Sequence, residues 1–91
     1  MQMELLAWGK IFMEPHLFRI QPGKGSSDYY THHGEEFLYI ISGQLDIKLG
    51  EKKFQLSKGD SFYFESKTPH SWLNSGKVQT VVLWINSAAV V

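Results

Sequence analysis

Residues 30–37 read Tyr-Thr-His-His-Gly-Glu-Glu-Phe and run directly into the apolar segment Leu-Tyr-Ile-Ile at residues 38–41. Two histidines and two carboxylates therefore stand at the start of a run that belongs in a protein core. A second polar and aromatic stretch, Thr-Pro-His-Ser-Trp-Leu-Asn, has the same character at residues 68–74. We expect the two stretches to meet in space and to form a site.

The rest of the sequence alternates short strand patterns with turn residues. Residues 44–49 alternate cleanly between apolar and polar side chains, and residues 53–56 do so again after a turn, which predicts a hairpin. No segment has a sustained helical period, so we expect an all-β sandwich or barrel of roughly six to eight strands. The other predicted strands are residues 16–20, 37–41, 61–64, 70–73 and 79–85, with an entering strand or arm at residues 4–10.

Length and composition restrict the class of protein. Ninety-one residues make a single domain spanning residues 1–91. Nine basic residues balance nine acidic ones, so the formal net charge is zero and we expect no direct contact of this domain with nucleic acid. The absence of cysteine excludes disulfides and thiolate metal sites. The apolar runs are too short to span a bilayer and the start has no signal-peptide pattern, so we expect a cytoplasmic protein without membrane contact.

The side-chain directions favour an interior polar site. Tyr30 and His32 lie two residues apart and face the same way on an extended strand. Glu36 opens the next strand and His70 opens a later one, and inward side chains of neighbouring strands converge in a closed barrel. Imidazole and carboxylate suit zinc, iron, nickel or manganese. His32, Glu36 and His70 are therefore candidate ligands of one divalent metal ion with open coordination positions.

The first stretch resembles the first motif of the cupin family. That motif has a glycine, a His-any-His pair, a glutamate and a later glycine. Gly25, His32, Glu36 and Gly43 fall on these positions, and Tyr30 stands where the first histidine usually stands. The resemblance implies a small β-barrel, also called a double-stranded β-helix or jelly roll.

The second stretch resembles the second cupin motif. Gly59, His70 and Asn74 fall on the glycine, histidine and asparagine of that motif. Glu65 and Lys67 replace its usual proline and glycine. Because two motifs match at the family's spacing, the resemblance covers essentially the whole chain.

One branch of the cupins is especially similar. The stretches Leu-Tyr-Ile-Ile-Ser-Gly, Gly-Asp-Ser-Phe-Tyr-Phe and Pro-His-Ser-Trp-Leu-Asn resemble the C-terminal sensor half of helix-turn-helix transcriptional regulators of the phage-repressor type. This resemblance implies an effector-binding domain that reaches DNA through a helix-turn-helix domain absent from this chain. It also implies that Tyr30, His32, Glu36 and His70 contact the effector.

Each candidate also has a simpler explanation. His32 and His70 could be hydrogen-bonded core histidines, and His33 and Glu35 are expected to face solvent. Tyr30 is a poor metal ligand because its phenol titrates near pH 10, so we expect it to hydrogen-bond a ligand or Glu36. The aromatic residues are most simply core, although some are expected to line the pocket; they are Phe62, Phe64, Trp72 and Trp84, of which Phe64 and Trp72 are our ligand-binding candidates.

Two functional classes remain open from the sequence. The first is a binding module that takes a small-molecule effector, with or without a metal. The second is a stand-alone metal-dependent enzyme such as a small dioxygenase or isomerase, which would use the open positions on the metal. The missing first histidine at Tyr30 weakens the enzyme interpretation. A third, weaker alternative is a storage or structural cupin without a ligand.

The apolar strands predict a homodimer. Residues 37–41 and 81–85 are apolar on both strand faces, whereas a small barrel gives each strand one interior face. Strand parity places Tyr39, Ile41, Leu83 and Ile85 on the surplus face, where a two-fold partner would cover them. The alternative is that residues 5–8 fold back over this face of the same chain.

Overall fold

The computed structural model describes residues 1–6, 13–26 and 34–87. Within these ranges the chain forms strands joined by turns, and no helix is present. The all-β prediction is therefore confirmed, and the predicted hairpin is found as β4 and β5. The strands are β1 (Gln2–Leu5), β2 (Met13–Ile20), β3 (Glu35–Ser42), β4 (Gln44–Leu49), β5 (Lys52–Ser57), β6 (Ser61–Glu65), β7 (His70–Leu73) and β8 (Thr80–Ser87).

Two antiparallel sheets form the walls of the barrel. The larger sheet has the order β1-β2-β8-β3-β6, and the smaller has the order β5-β4-β7. The chain changes sheet between β3 and β4, β5 and β6, β6 and β7, and β7 and β8, which is the connectivity of a jelly roll. No described helix is long and apolar enough to cross a membrane.

Two motif glycines allow close approaches between the sheets. Gly43 joins β3 to β4 with a φ of 82°, and a Cβ atom there would lie 2.6 Å from Thr80 Oγ1. A Cβ atom on Gly25 would lie 2.4 Å from the carbonyl oxygen of Trp72. Both positions therefore require glycine for packing, and neither contributes chemistry.

The hydrophobic core follows from the alternation of each strand. In β3, Leu38 and Ile40 point inward with Glu36, whereas Phe37 and Tyr39 point outward. Glu36 lies at the start of β3, away from the β3–β4 junction, and His70 pairs with Leu49 at the far end of β4, so both residues lie at the same end of the barrel. The buried apolar residues are Ile20, Leu38, Ile40, Leu45, Ile47, Leu56, Phe64, Val82 and Trp84.

Asn74, the last position of the second cupin motif, is a structural residue. Its side chain is fully buried, donates hydrogen bonds to the carbonyl oxygens of Ile20 and Val78, and accepts one from the amide of Gly76. It therefore fastens the β7–β8 connection to the end of β2.

The outer face of the larger sheet carries partly exposed apolar side chains in the described part of the chain. Phe37, Tyr39 and Ile41 are each about two-fifths exposed, at 38%, 40% and 42%. Leu5 pairs with His16 at the edge of the sheet and does not lie over this face. The amide of Leu6 donates a hydrogen bond to the carbonyl oxygen of Pro15 at the same edge, and residues 7 and 8 of the segment expected to fold back lie outside the described residues.

Candidate functional site

Glu36 is buried at the polar end of the barrel. It is the second residue of β3, and strand alternation places it on the same inner face as Leu38 and Ile40. Only 3% of the residue is exposed, whereas its neighbour Glu35 lies on the outer face. An ionised carboxylate loses much of its hydration in such a place, so it needs polar partners inside the protein.

Trp84 supplies one of these partners. Its indole Nε1–H donates a hydrogen bond of 2.7 Å to Glu36 Oε1. Trp84 lies in β8 directly opposite Leu38, one inward position along from Glu36, and is itself buried. The sequence analysis placed Trp84 among the aromatic residues that form the core or line the pocket, and it did not predict this hydrogen bond, although a buried indole N–H usually requires an acceptor.

His70 meets the other carboxylate oxygen. Its Nε2 atom lies 3.2 Å from Glu36 Oε2, and its Nδ1 atom lies 2.7 Å from the carbonyl oxygen of Thr68. Because a carbonyl oxygen only accepts hydrogen bonds, Nδ1 carries the hydrogen and donates a hydrogen bond to the carbonyl oxygen of Thr68. The backbone thus fixes the ring so that Nε2 faces Glu36.

Aromatic rings enclose this pair. Phe64 packs against His70 with their ring centroids 4.8 Å apart. Trp72 meets Trp84 edge-on at 6.0 Å, and Phe18 meets Trp84 edge-on at 5.3 Å. Apolar walls reduce the local dielectric constant and strengthen the interaction of Glu36 with any cation or hydrogen-bond donor that binds there.

The described structure therefore brings together part of the predicted set. Glu36 and His70 converge in the interior, with Phe64 against His70 and Trp72 against Trp84. The other predicted site residues, Tyr30 and His32, lie outside the described residues, as does His33.

The sequence analysis did not assign His16 and Asn86 to the site, although both lie on the inner face of the larger sheet. His16 lies opposite Trp84, and Asn86 lies opposite Glu36. The alternation of β2, with Phe18 and Ile20 inward, already implied that His16 shares that face. Asn86 was missed because the predicted strand stopped at residue 85, whereas β8 continues to Ser87.

The Glu36–His70 pair fits a shared divalent ion. Tetrahedral ligand atoms about 2.0 Å from one zinc ion are about 3.3 Å apart, close to the observed 3.2 Å between Nε2 and Oε2. Among the described residues, no group of three or more histidine, cysteine, aspartate or glutamate residues could hold a metal. The third ligand that the sequence predicts, His32, lies outside the described residues.

A separate cleft runs along the smaller sheet. It has a volume of about 650 Å³ and is lined mainly by β4, β5 and β7, including Asp46, Lys48 and Trp72. Neither Glu36 nor His70 lines it. We place the candidate site at Glu36 and His70, because convergent buried polar groups identify a site more specifically than volume does.

Comparison with known proteins identifies the family. The Cupin_2 family, described as the cupin domain, matches residues 16–86. The chain belongs to the cupin family. The match includes Glu36 and His70, and the cupin barrel expected from the two motifs is confirmed.

Individual relatives show how far the similarity extends. The uncharacterized protein MJ1618 of Methanocaldococcus jannaschii is 40% identical over 55 residues, covering 60% of this chain and 42% of that protein. This cupin chain thus matches less than half the length of that relative.

Two solved structures are also similar. The cupin domain of an XRE family transcriptional regulator from Enterobacter cloacae has a TM-score of 0.85 at 19% identity, covering 98% of this chain and 97% of that one. A putative sugar phosphate isomerase from Acidithiobacillus ferrooxidans has a TM-score of 0.72 at 34% identity, covering 82% of this chain and 49% of that one.

Proposed function

We propose that this cupin domain binds a small-molecule effector in its interior and serves as the sensor of a transcriptional regulator. The observation that carries the proposal is the buried carboxylate of Glu36, held by Trp84 and facing His70. A side chain needed only for packing would not require a carboxylate at 3% exposure, since burial of this group is unfavourable without polar partners.

The proposed role in a transcriptional regulator is supported by a structural match that covers nearly the whole chain. The cupin domain of the Enterobacter cloacae regulator and this chain align over nearly their entire lengths. Similarity at 19% identity concerns the fold, so the functional link also rests on the sequence resemblance to sensor domains. In such a protein the effector signal would pass to a separate DNA-binding domain in the cytoplasm, and the zero net charge of this chain agrees with the absence of direct DNA contact.

A divalent metal ion is compatible with the proposal. Glu36 and His70, with the predicted His32, would hold zinc, nickel, iron or manganese. Such an ion would attract an oxygen or nitrogen atom of the effector as a Lewis acid. The residues themselves would orient the effector, because Thr68 fixes the ring of His70 and Trp84 fixes the carboxylate of Glu36.

A second candidate function is metal-dependent catalysis. The observation in its favour is the 34% identity to the putative sugar phosphate isomerase, of which this chain covers about half. The described site offers Glu36 and His70, and the arrangement of the two side chains suits binding as well as proton transfer. We favour binding because a tyrosine, Tyr30, stands at the usual position of the first metal-binding histidine.

One experiment separates the two functions. The purified chain is screened with small metabolites, with and without added zinc, nickel, iron or manganese, by thermal shift. Positive compounds are then followed by NMR over hours. We expect a compound that raises the melting temperature, depends on Glu36 and is recovered unchanged. Conversion of that compound into a product would favour the enzyme, and the absence of any Glu36-dependent response would contradict both candidates.

A further inference from the structure

Several buried polar atoms of the barrel have no partner of their own. Outside the Glu36–His70 pair, the described residues with a buried side-chain polar atom that makes no hydrogen bond are His16, Asp46, Ser66 and Asn86. Such atoms are rare in native proteins, since each is unfavourable by about 1–3 kcal/mol when it lacks both water and protein partners. Three of the four lie at the same end of the barrel as Glu36.

The strand register places two of these atoms on the inner face. Asn86 pairs with Glu36 across β8 and β3, and its Oδ1 atom is buried without a hydrogen-bond partner. His16 pairs with Trp84, which donates a hydrogen bond to Glu36, and the Nδ1 atom of His16 is buried without a hydrogen-bond partner. Asn86 is therefore the direct cross-strand neighbour of Glu36, whereas His16 lies one strand further away and neighbours Trp84, the hydrogen-bond donor to Glu36.

Ser66 lies at the same end of the larger sheet, next to the start of β3 on the side away from β8. It follows β6 directly, and its amide donates a hydrogen bond to the carbonyl oxygen of Gly34, two residues before Glu36. The residue is 1% exposed, and its hydroxyl has no hydrogen-bond partner.

We propose that His16, Ser66 and Asn86 extend the Glu36–His70 site into a pocket for a neutral, hydroxyl-rich small molecule such as a monosaccharide or polyol. This inference rests on the proposed function, because it assumes that the interior binds a small molecule. It adds the chemical class of that molecule and three residues that recognise it.

The hydrogen-bonding capacity of the three residues selects this class. A neutral imidazole, a hydroxyl and a carboxamide can each donate and accept hydrogen bonds. A ligand hydroxyl has the same double capacity and can satisfy all three, whereas a carboxylate or phosphate only accepts.

The charge at this end of the barrel also disfavours an anion. Glu14 lies opposite Asn86 on the inner face, and Glu36 lies on the other side of Asn86. None of the inward positions of β2, β3 and β8 is a lysine or arginine. An anionic ligand would therefore meet like charges without a compensating cation on these strands.

Aromatic side chains complete the pocket. The ring of His16 stacks on Phe18 at 5.8 Å with an interplanar angle of 3°, and Phe18 meets Trp84 edge-on. Flat apolar surfaces beside a few polar groups suit a ligand with a C–H face and hydroxyl edges. A sugar ring has both.

Titration of the full 91-residue chain with defined probes tests the inference. Glucose, mannose, xylitol and glycerol are the neutral probes, and citrate and inorganic phosphate are the anionic ones, each followed by tryptophan fluorescence and calorimetry. We expect at least one neutral probe to bind, with a fluorescence change, and the anions not to bind. Binding of the anions alone would overturn the inference.

Variants distinguish recognition from a structural role. Asn86→Leu and Ser66→Ala remove a polar atom that has no partner in the free protein, so we expect the melting temperature to stay the same or rise. We expect the affinity for the neutral probe to fall about tenfold in each, as for the loss of one hydrogen bond. Gln55→Leu, at an exposed position of β5, is the control and should leave the affinity unchanged.

The remaining outcomes are equally decisive. A lower melting temperature with unchanged affinity in both variants would assign these residues a structural role and overturn the inference. If Asn86→Leu does not fold, Ser66→Ala and His16→Phe give the same comparison. If no neutral probe binds but another compound gives a Glu36-dependent thermal shift, this inference fails and the proposed function stands. If nothing binds in a Glu36-dependent way, both fail.

Discussion

The Nε2 atom of His70 lies 3.2 Å from the Oε2 atom of Glu36, and both side chains are shielded from solvent. Each is held from its far side, because Trp84 donates to the other carboxylate oxygen and Thr68 accepts from the other ring nitrogen. The two groups thus have little freedom to turn away from each other. Such rigidity is useful in a binding site because no ordering of these side chains is needed when a ligand arrives.

Replacement of Glu36 tests this arrangement in the free protein. Glu36→Ala leaves the buried Nε1–H of Trp84 without its acceptor, so we expect the free energy of unfolding to fall by about 1–3 kcal/mol. Glu36→Gln keeps an oxygen acceptor and is expected to cause a smaller loss. Urea denaturation measures both. Equal stability of Glu36→Ala and the wild type would contradict the assigned hydrogen bond.

Metal binding provides a second test of the pair. We expect zinc or nickel to raise the melting temperature of the wild type, because an ion that binds the folded chain alone stabilises it by mass action. The increase should disappear in His70→Phe and after dialysis against a chelator. The exposed change Lys67→Gln, three residues from His70, serves as the control and should preserve the shift. A shift of equal size in His70→Phe would place the metal elsewhere.

The phenol of Tyr63, on the outer face of the larger sheet, has a shifted pKa that can be measured independently of the interior site. Tyr63 donates a 2.5 Å hydrogen bond to Glu35, and this bond is the main reason that the pKa of the Tyr63 phenol is raised above its ordinary value of 10.0. Desolvation and the negative charges of Glu35 and Glu65 raise the pKa further. We expect the change Glu35→Gln to lower it toward 10.0, as measured by ultraviolet titration of the phenolate with Tyr63→Phe as the reference.

The raised pKa of Tyr63 determines how its contribution to folding stability depends on pH. The folded state favours the neutral phenol, so the contribution is fully present below pH 10, where Tyr63 is neutral in both states. It is lost as pH rises from there through the higher pKa of the folded state. Because Tyr63 is 56% exposed, we expect the effect on unfolding to be small. A Tyr63 pKa unaffected by Glu35→Gln would contradict the coupling.

Asn74 should behave as a structural residue in spite of its place in the second cupin motif. Asn74→Ala removes a buried side chain that makes three hydrogen bonds to the backbone, so we expect unfolding to become easier by at least about 2 kcal/mol. Chemical denaturation measures the loss, and the exposed change Gln79→Ala is its control. Folded Asn74→Ala should still respond to a ligand, whereas loss of binding without loss of stability would place Asn74 in the site.

The fold could be predicted well from the sequence, because strands and turns are indicated by patterns of neighbouring residues. Strict alternation located β4 and β5, and the glycines of the two cupin motifs, Gly43 and Gly59, lie at connections between strands in the structure. The Ser57–Asp60 turn was also readable, since Asp60 accepts a hydrogen bond from the amide of Ser57 as turn aspartates commonly do. These features depend on neighbours within a few residues.

The contacts between distant strands could not be predicted in the same way. The hydrogen bond from Trp84 to Glu36 depends on the register of β8 against β3, which shifts at an irregularity between Ile40 and Ser42. Parity implied that His16 faces inward, but only the register places it beside Trp84. A single sequence gives parity and spacing, whereas register needs the three-dimensional fold.

The outer face of the larger sheet is the surface on which the homodimer prediction depends. Leu17, Leu83 and Tyr39 lie side by side across β2, β8 and β3, and Ile85, Phe37 and Tyr63 form the adjacent row across β8, β3 and β6. Two rows of apolar side chains make a continuous patch of a kind that monomers rarely expose. The described part of the chain leaves this patch uncovered.

We therefore expect the double change Tyr39→Lys and Leu83→Lys to convert a dimer into a monomer, because four added positive charges would face one another across a two-fold axis without solvent. Light scattering at micromolar concentration measures the mass against that of one 10.5 kDa chain. Leu73→Lys is the matched control, since Leu73 is 42% exposed but lies on the smaller sheet, and it should leave the dimer intact. Circular dichroism checks that each variant still folds as β-structure. A wild-type mass of one chain would refute the dimer itself, whereas a folded double variant that remains dimeric would move the interface away from this patch.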